Sequence, residues 1–339
     1  MRFFERQREA RAQTVRLLLL FALTLLLLVV AVNVALALTW RVVAWHDASY
    51  PAYFFQINTG MTLLFVFGGW WIESSNLGSG GEALARRVGA REARVMGPLS
   101  RAGAYDNEQK FCNIVGELAI AASMKPPTPM VLDRVESINA FACGWDENDA
   151  VVAVTQGALD CLTRDELQGL VAHEFSHILE GDMQLNMRLA GMVSGLEMIY
   201  NLGQSMCEPN ENGSSTLLAL PGFAIKSVGA LGWLAGRVLK ASVSRQREYL
   251  ADARAVQFTR SKEGLGGVLR KAMGQGADGS AMRPLHPSVQ HMLLVSSRLD
   301  AQWFHTHPPI AERIRRIYGR SMGALATDAV HAPKADAIF

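Results

Sequence analysis

Charge is scarce in this sequence. Asp, Glu, Lys and Arg make up 19% of its 339 residues while 50% are hydrophobic, against roughly 25% charged in an average soluble domain. That balance excludes a disordered, collagen-like or coiled-coil chain. No sign of charge dominates: 33 basic and 31 acidic residues leave +2, and the pI is about 8.4, which argues against a dedicated nucleic-acid binder. Cysteine is rare as well. Cys112, Cys143, Cys161 and Cys207 lie far apart without a C-x-x-C pair, so neither a zinc knuckle nor a disulfide framework is indicated, and a reducing compartment is the simpler reading. The length allows about two domains, and a mean hydropathy of +0.12 points toward a membrane.

What is abundant is uninterrupted apolar sequence. Leu17 to Leu38 carries no charge over 22 residues, which as a helix reaches ~33 Å, enough for a bilayer core of ~30 Å. A signal peptide would have an apolar region of only about 7–15 residues. A second uncharged run, Tyr53 to Ile72, ends in Trp70-Trp71, as interfacial anchoring favours; Gln56 and Asn58 weaken it, and a buried soluble helix is the competing reading. The two runs read as a transmembrane hairpin (17–38 and 53–72) after a basic N-terminus, residues 1–16. Arg2, Arg6, Arg8, Arg11 and Arg16 precede it and Arg86, Arg87, Arg91, Arg94 and Arg101 follow, whereas the intervening turn offers only Arg41. The positive-inside rule then puts both ends, and the chain from about Glu73 onward, on the cytoplasmic side.

After a glycine-rich joint within residues 73–81, Glu82 to Met124 is helical in pattern. Lys125-Pro126-Pro127-Thr128-Pro129 ends it. Met130-Val131-Leu132 and Ala150 to Val154 are β-prone, with Asn139-Ala140-Phe141 between them. Thr163-Arg164-Asp165-Glu166 is a capping box opening a helix that can run to Gly181. The fold expected is mainly α with a small β-sheet (α+β). Leu189 to Leu202 and Leu217 to Ala235 are again apolar but carry Glu197, Pro221 and Lys226. A mid-bilayer charge costs ~2.5–3.5 kcal/mol on insertion scales, so a buried or surface-lying hairpin, a second imperfect transmembrane hairpin and a soluble loop all stay open.

The sharpest pattern is His173-Glu174-Phe175-Ser176-His177. On a helix, positions i and i+4 share a face, so both imidazoles can aim at one metal. A glutamate beside the first histidine is placed to take a proton from water at that metal. A catalytic zinc takes three protein ligands and keeps one position open, so a third must come from elsewhere. Arg247-Glu248-Tyr249-Leu250-Ala251-Asp252 offers two carboxylates on one helix face: Glu248 as ligand, and Asp252 as acceptor from a ligand histidine. A solvated face pairing with Arg245, Arg247 and Arg254 suits the spacing equally.

His173 to Asp182 followed by Ser244-Arg245-x-x-Glu248-x-x-x-Asp252 resembles the HtpX-like membrane zinc endopeptidases and their relatives, the type I CaaX prenyl proteases. The resemblance covers roughly residues 82–320. It implies a gluzincin fold behind the transmembrane hairpin, with an apolar helical insertion at about 187–240 and a C-terminal tail, 321–339. It further implies Zn2+ held by His173, His177 and Glu248, with Glu174 as general base. Asn139-Ala140-Phe141 resembles the family's edge strand for substrate backbone, strand addition being a known recognition mode; an ordinary strand end is the alternative. Thr306-His307-Pro308-Pro309-x-x-x-Arg313 resembles the family's His-Pro block, implying that His307 and Arg313 reach the site and that a positive donor stabilises the oxyanion. Otherwise His307 caps a helix whose first turn holds Pro308 and Pro309. The family has two further apolar spans where this chain carries charges and a proline.

The function expected is peptide-bond hydrolysis of membrane-associated or misfolded polypeptides at the cytoplasmic face of a bacterial inner membrane, with no nucleic-acid partner. A catalytically silent, anchored zinc scaffold is the alternative, and a transporter component a weaker one. His46, His286, His291, His305 and His331 receive no role. A cysteine at Ser214 distinguishes the readings of the middle hairpin: labelling by an impermeant thiol reagent from outside assigns a second transmembrane pair, and protection assigns a buried or inner-surface one.

Overall fold

The computed structural model describes residues 2–44, 49–95, 106–209, 219–277, 293–294 and 308–326. The chain divides into two compact units: residues 1–78 with 188–240, and 79–187 with 241–339.

The first unit is helical. Helix α1 (Arg2–Val43) and helix α2 (Phe54–Leu77) pack on each other, and the amide of Asn33 donates to Thr59 Oγ1 at 3.0 Å across the pair. Among the described residues one stretch, Leu18–Val43, is long and apolar enough to cross a membrane; α2 is diluted by Gln56, Asn58, Thr59 and Thr62. The other members are most of α7 (Asp182–Cys207) and the first half of α8 (Ala219–Thr259). Pro221 sits in the first turn of α8, where no backbone N–H is missed, so the helix continues past it. Glycines set the spacing: a Cβ on Gly195 would fall 2.5 Å from the Val66 carbonyl oxygen, and one on Gly229 2.5 Å from the Tyr200 nitrogen. Small residues at such crossings let backbones approach as they do in membrane bundles. Leu19, Leu26, Leu27, Leu38, Val42 and Val43 point outward from α1. The charge of Lys226 lies 5.8 Å above the Tyr200 ring, so this unit meets it internally.

The second unit is α+β. Helix α3 (Gly81–Arg87) precedes β1 (Arg91–Glu92), then come α4 (Asp106–Ala122), β2 (Thr128–Leu132), β3 (Ala140–Cys143), β4 (Val151–Thr155), α5 (Gln156–Cys161), α6 (Arg164–Glu180), the second half of α8, α9 (Lys262–Ala277) and α10 (Ile310–Tyr318). The sheet order is β1-β2-β4-β3. Strands β2 and β4 run parallel, while β1 on β2 and β3 on β4 are antiparallel.

Two sequence expectations are corrected here. The continuous helical pattern from Glu82 is interrupted by Gly89, whose φ of +94° ends α3; Arg91 then enters β1 and pairs with Glu108 and Asp133. The glycine joint is no free tether at its end, because the Gly81 N–H donates to both carboxylate oxygens of Asp149 at 3.0 Å.

Helix α6 is the core element. Thr163 and Glu166 form the reciprocal capping box, and Gly181 closes the helix in the left-handed region at φ 72°. Leu167, Leu170, Val171, Phe175 and Ile178 are buried in a cluster shared with α4, the sheet and α9. Helix α9 crosses where α6 carries Gly169; a Cβ there would lie 2.3 Å from the Leu265 nitrogen. Gly169→Ala is therefore expected to destabilise the protein by about 1–3 kcal/mol, read as a lowered Tm. Because the forced shift falls one turn before His173, metal affinity should drop with it.

Candidate metal centre

One turn of α6 carries the chemistry. His173 and Glu174 are each 1% exposed, and the two histidine rings meet edge to face with centroids 4.8 Å apart. Their Nε2 atoms face each other at 3.2 Å. Glu248, from the second half of α8, completes a triangle, with Oε2 3.6 Å from His173 Nε2 and Oε1 3.6 Å from His177 Nε2. The donor atoms of these three residues lie within 4.8 Å of one another. Two donors bound tetrahedrally at ~2.0–2.1 Å sit about 3.3 Å apart, so the spacing fits a zinc-sized cation.

Each histidine is held from behind. His173 Nδ1 lies 3.1 Å from Asp252 Oδ1, and Asp252 receives Arg313 Nε at 2.9 Å and Nη2 at 2.6 Å. His177 Nδ1 lies 2.8 Å from Asp182 Oδ2, and Arg247 pairs with the other Asp182 oxygen. With His177 Nδ1–H donated to Asp182, the Nε2 lone pair of that ring is free for a metal.

Charge supplies a second test of fit. Glu174, Asp182, Glu248 and Asp252 are all buried, with the guanidiniums of Arg247 and Arg313 on Asp182 and Asp252. A divalent cation would add positive charge to this acidic group. Without one, burial works to lower His173, but the carboxylates of Asp252 and Glu248 beside it outweigh burial and push the imidazole up to about 9. His177 is held below the usual histidine value by burial and by the positive His173 beside it.

The structure thus brings His173, Glu174, His177, Glu248, Asp252 and Arg313 together. Glu248 and Asp252 are each 4% exposed, which overturns the solvated-face reading. Arg313, 0% exposed, reaches the site from α10 with its N–H groups on Asp252 and on the Leu294 carbonyl, and Nη1 lies 3.3 Å from Glu248. Its Nη2 also lies 3.5 Å from His173 Nε2. Helix α10 begins at Ile310 with Pro309 as its N-cap, so Pro308 and Pro309 precede its first turn; His307 lies outside the described residues, as do His46, His286, His291, His305 and His331.

Asn139, Ala140 and Phe141 lead into β3, the edge strand of the sheet. Asn139 O accepts from Thr155 N at 3.1 Å, so the alternation turns Ala140 and Ala142 away from β4. Ala140 is already engaged there: its N–H donates to Asn139 Oδ1 at 3.1 Å, and its carbonyl accepts from Leu294 N at 3.1 Å. No residue of the strand is more than 4% exposed. Sequence reasoning missed Asp182, Arg247 and Leu294. For Asp182 a signal existed, an aspartate directly after the glycine that ends the histidine helix.

Residues 106–321 match peptidase family M48. The chain belongs to that family. A "Protease HtpX homolog" from Ligilactobacillus salivarius (strain UCC118) is 34% identical over 215 residues, 60% of this chain and 71% of that protein. Its counterpart in Dictyoglomus turgidum is 36% identical over 62% of this chain and 68% of its own, and that of Syntrophobacter fumaroxidans 35% identical over 66% and 79%. Among solved structures, S. mikatae Ste24p is similar with a TM-score of 0.44 and 18% identity, covering 76% of this chain and 62% of that one. As an M48 peptidase, the chain is a metalloprotease.

The histidine shifts give the pH dependence of the metal-free protein. His173 is raised above its unfolded value near 6.5, so the stability it contributes is complete below that pH and lost as pH rises through about 9. His177, lowered, has the opposite sign and costs stability as pH falls below about 6.5. Thermal melts of chelator-treated protein should therefore show Tm declining between pH 6.5 and pH 9, a decline that saturating zinc removes.

Proposed function

We propose that this M48 peptidase is a membrane-anchored, zinc-dependent endopeptidase that cleaves membrane-associated or misfolded polypeptides from the cytoplasmic face. The observation that carries the reading is the 3.2 Å approach of two imidazole Nε2 atoms with the Glu248 carboxylate opposite them and Glu174 alongside in a buried turn. His173, His177 and Glu248 would hold the zinc, which when bound would supply Lewis-acid polarisation and a water acidic enough to ionise near neutral pH.

Glu174 takes a proton from the attacking water as its oxygen adds to the peptide carbonyl carbon. It returns that proton to the amine nitrogen as the C–N bond breaks. Asp252 and Arg313 keep His173 in the tautomer that presents Nε2. His307 completes the site on the strength of the resemblance. Asn139 with Ala140 and Phe141 of strand β3 takes the substrate backbone in extended form.

The anchoring hairpin at 17–38 and 53–72 keeps the peptidase domain, about residues 82–320, at the bilayer surface. The helical insertion at about 187–240 belongs to the membrane side. The outward leucines and valines of α1 and the basic flanks of the hairpin support this arrangement.

Glu174→Gln keeps the shape of the side chain and removes the base. With casein as substrate, kcat/KM is expected to fall about 10²–10⁴-fold while zinc content stays at the wild-type level. Undiminished cleavage by that variant would sink the mechanism, and equally slow cleavage by wild type and variant, both zinc-loaded, would mark the chain as a silent scaffold.

A further inference from the structure

Two adjacent residues of α8 reach both nitrogens of one ring. Glu248 faces His177 Nε2 at 3.6 Å. Arg247, the residue before it, pairs with Asp182, which lies 2.8 Å from His177 Nδ1. Asp182 is the first residue of α7, placed by the left-handed turn at Gly181 so that it folds back on a histidine five positions upstream. Its side chain is 4% exposed and that of Arg247 20%.

A buried ion pair of this kind adds little net stability, since desolvation offsets most of the attraction. Its geometry gives it another use. A second carboxylate–guanidinium pair, Asp252 with Arg313, lies behind His173, with Asp252 Oδ1 3.1 Å from Nδ1. The two supports differ in origin: Arg313 comes from the short helix α10, whereas Asp182 and Arg247 stand where α7 leaves the second unit and α8 returns to it.

We infer that Asp182 and Arg247 are positioning residues for His177, and that through them the affinity of the centre for its metal depends on how the roots of α7 and α8 are held together. The inference rests on His173, His177 and Glu248 being metal ligands. Asp182 fixes the tautomer and orientation of the ring, and Arg247 fixes Asp182. A change in spacing at the two roots breaks the pair and frees the ring to turn, while Glu248 moves with Arg247 because they share a helix turn.

Cobalt(II) binding to full-length, chelator-stripped protein in detergent, followed by visible absorption, tests this without reference to activity. Asp182→Asn and Arg247→Met should bind cobalt about 10–100-fold more weakly than wild type, with an altered absorption band. Arg247→Lys should recover part of the loss, since an ammonium still pairs with Asp182 but without the planar fork. Far-ultraviolet dichroism of the metal-free variants should match wild type; if Arg247→Met does not fold, the nearly isosteric Asp182→Asn decides alone. Wild-type cobalt affinity in Asp182→Asn overturns the inference, and so does an Arg247→Lys protein no better than Arg247→Met. A His177→Ala chain that binds cobalt as tightly as wild type would instead remove the ligand reading beneath it.

Discussion

The unit that holds the metal centre is organised around an electrostatic deficit. Four buried carboxylates converge on one helix turn with two guanidiniums among them. Anions taken out of water are tolerated only when charge is returned to them. Four elements meet there: α6 delivers the two rings and Glu174, α7 Asp182, α8 Glu248 and Asp252, and α10 a buried arginine. Without a metal the two rings are left to share a hydrogen bond between their Nε2 atoms at 3.2 Å. A divalent cation would take the place of that bond and add positive charge to the carboxylates.

Helix α6 was legible because its determinants are local. The capping box, the apolar positions at helical spacing and the glycine at its end all act within one segment, and the two histidines inherit their geometry from it. Glu248 was not legible in that way. Seventy-one positions separate it from His177, and no periodicity connects a carboxylate on one helix to a ring on another; the resemblance named it. Arg313 was named by the same route, but its bonds to Asp252 were not, because a sequence block says that a residue arrives at a site and not what it touches there.

The remaining misses have physical causes too. Two-residue β1 has no pattern of its own and exists because β2 offers it an edge. The contacts of Asp182 were hidden because it follows a turn that reverses direction and its partner Arg247 lies at the far end of a long apolar excursion. In that excursion the charge on Lys226 and the ring at Pro221 weakened the reading of a membrane span and left the helical one, and in the structure the proline sits in a first turn and the cation meets an aromatic face. Gly195 and Gly229 were the informative residues there, since backbone-to-backbone contact needs a side chain that is absent.

Strand β3 ends the sheet, but the bond that a newcomer would make at Ala140 is already made by Leu294. Any extended polypeptide that adds at that point trades one main-chain bond for an equivalent one, so the exchange is close to thermoneutral and selects nothing. Preference among polypeptides must then reside in the side chains flanking that position, and the main chain serves as a ruler that sets their alignment.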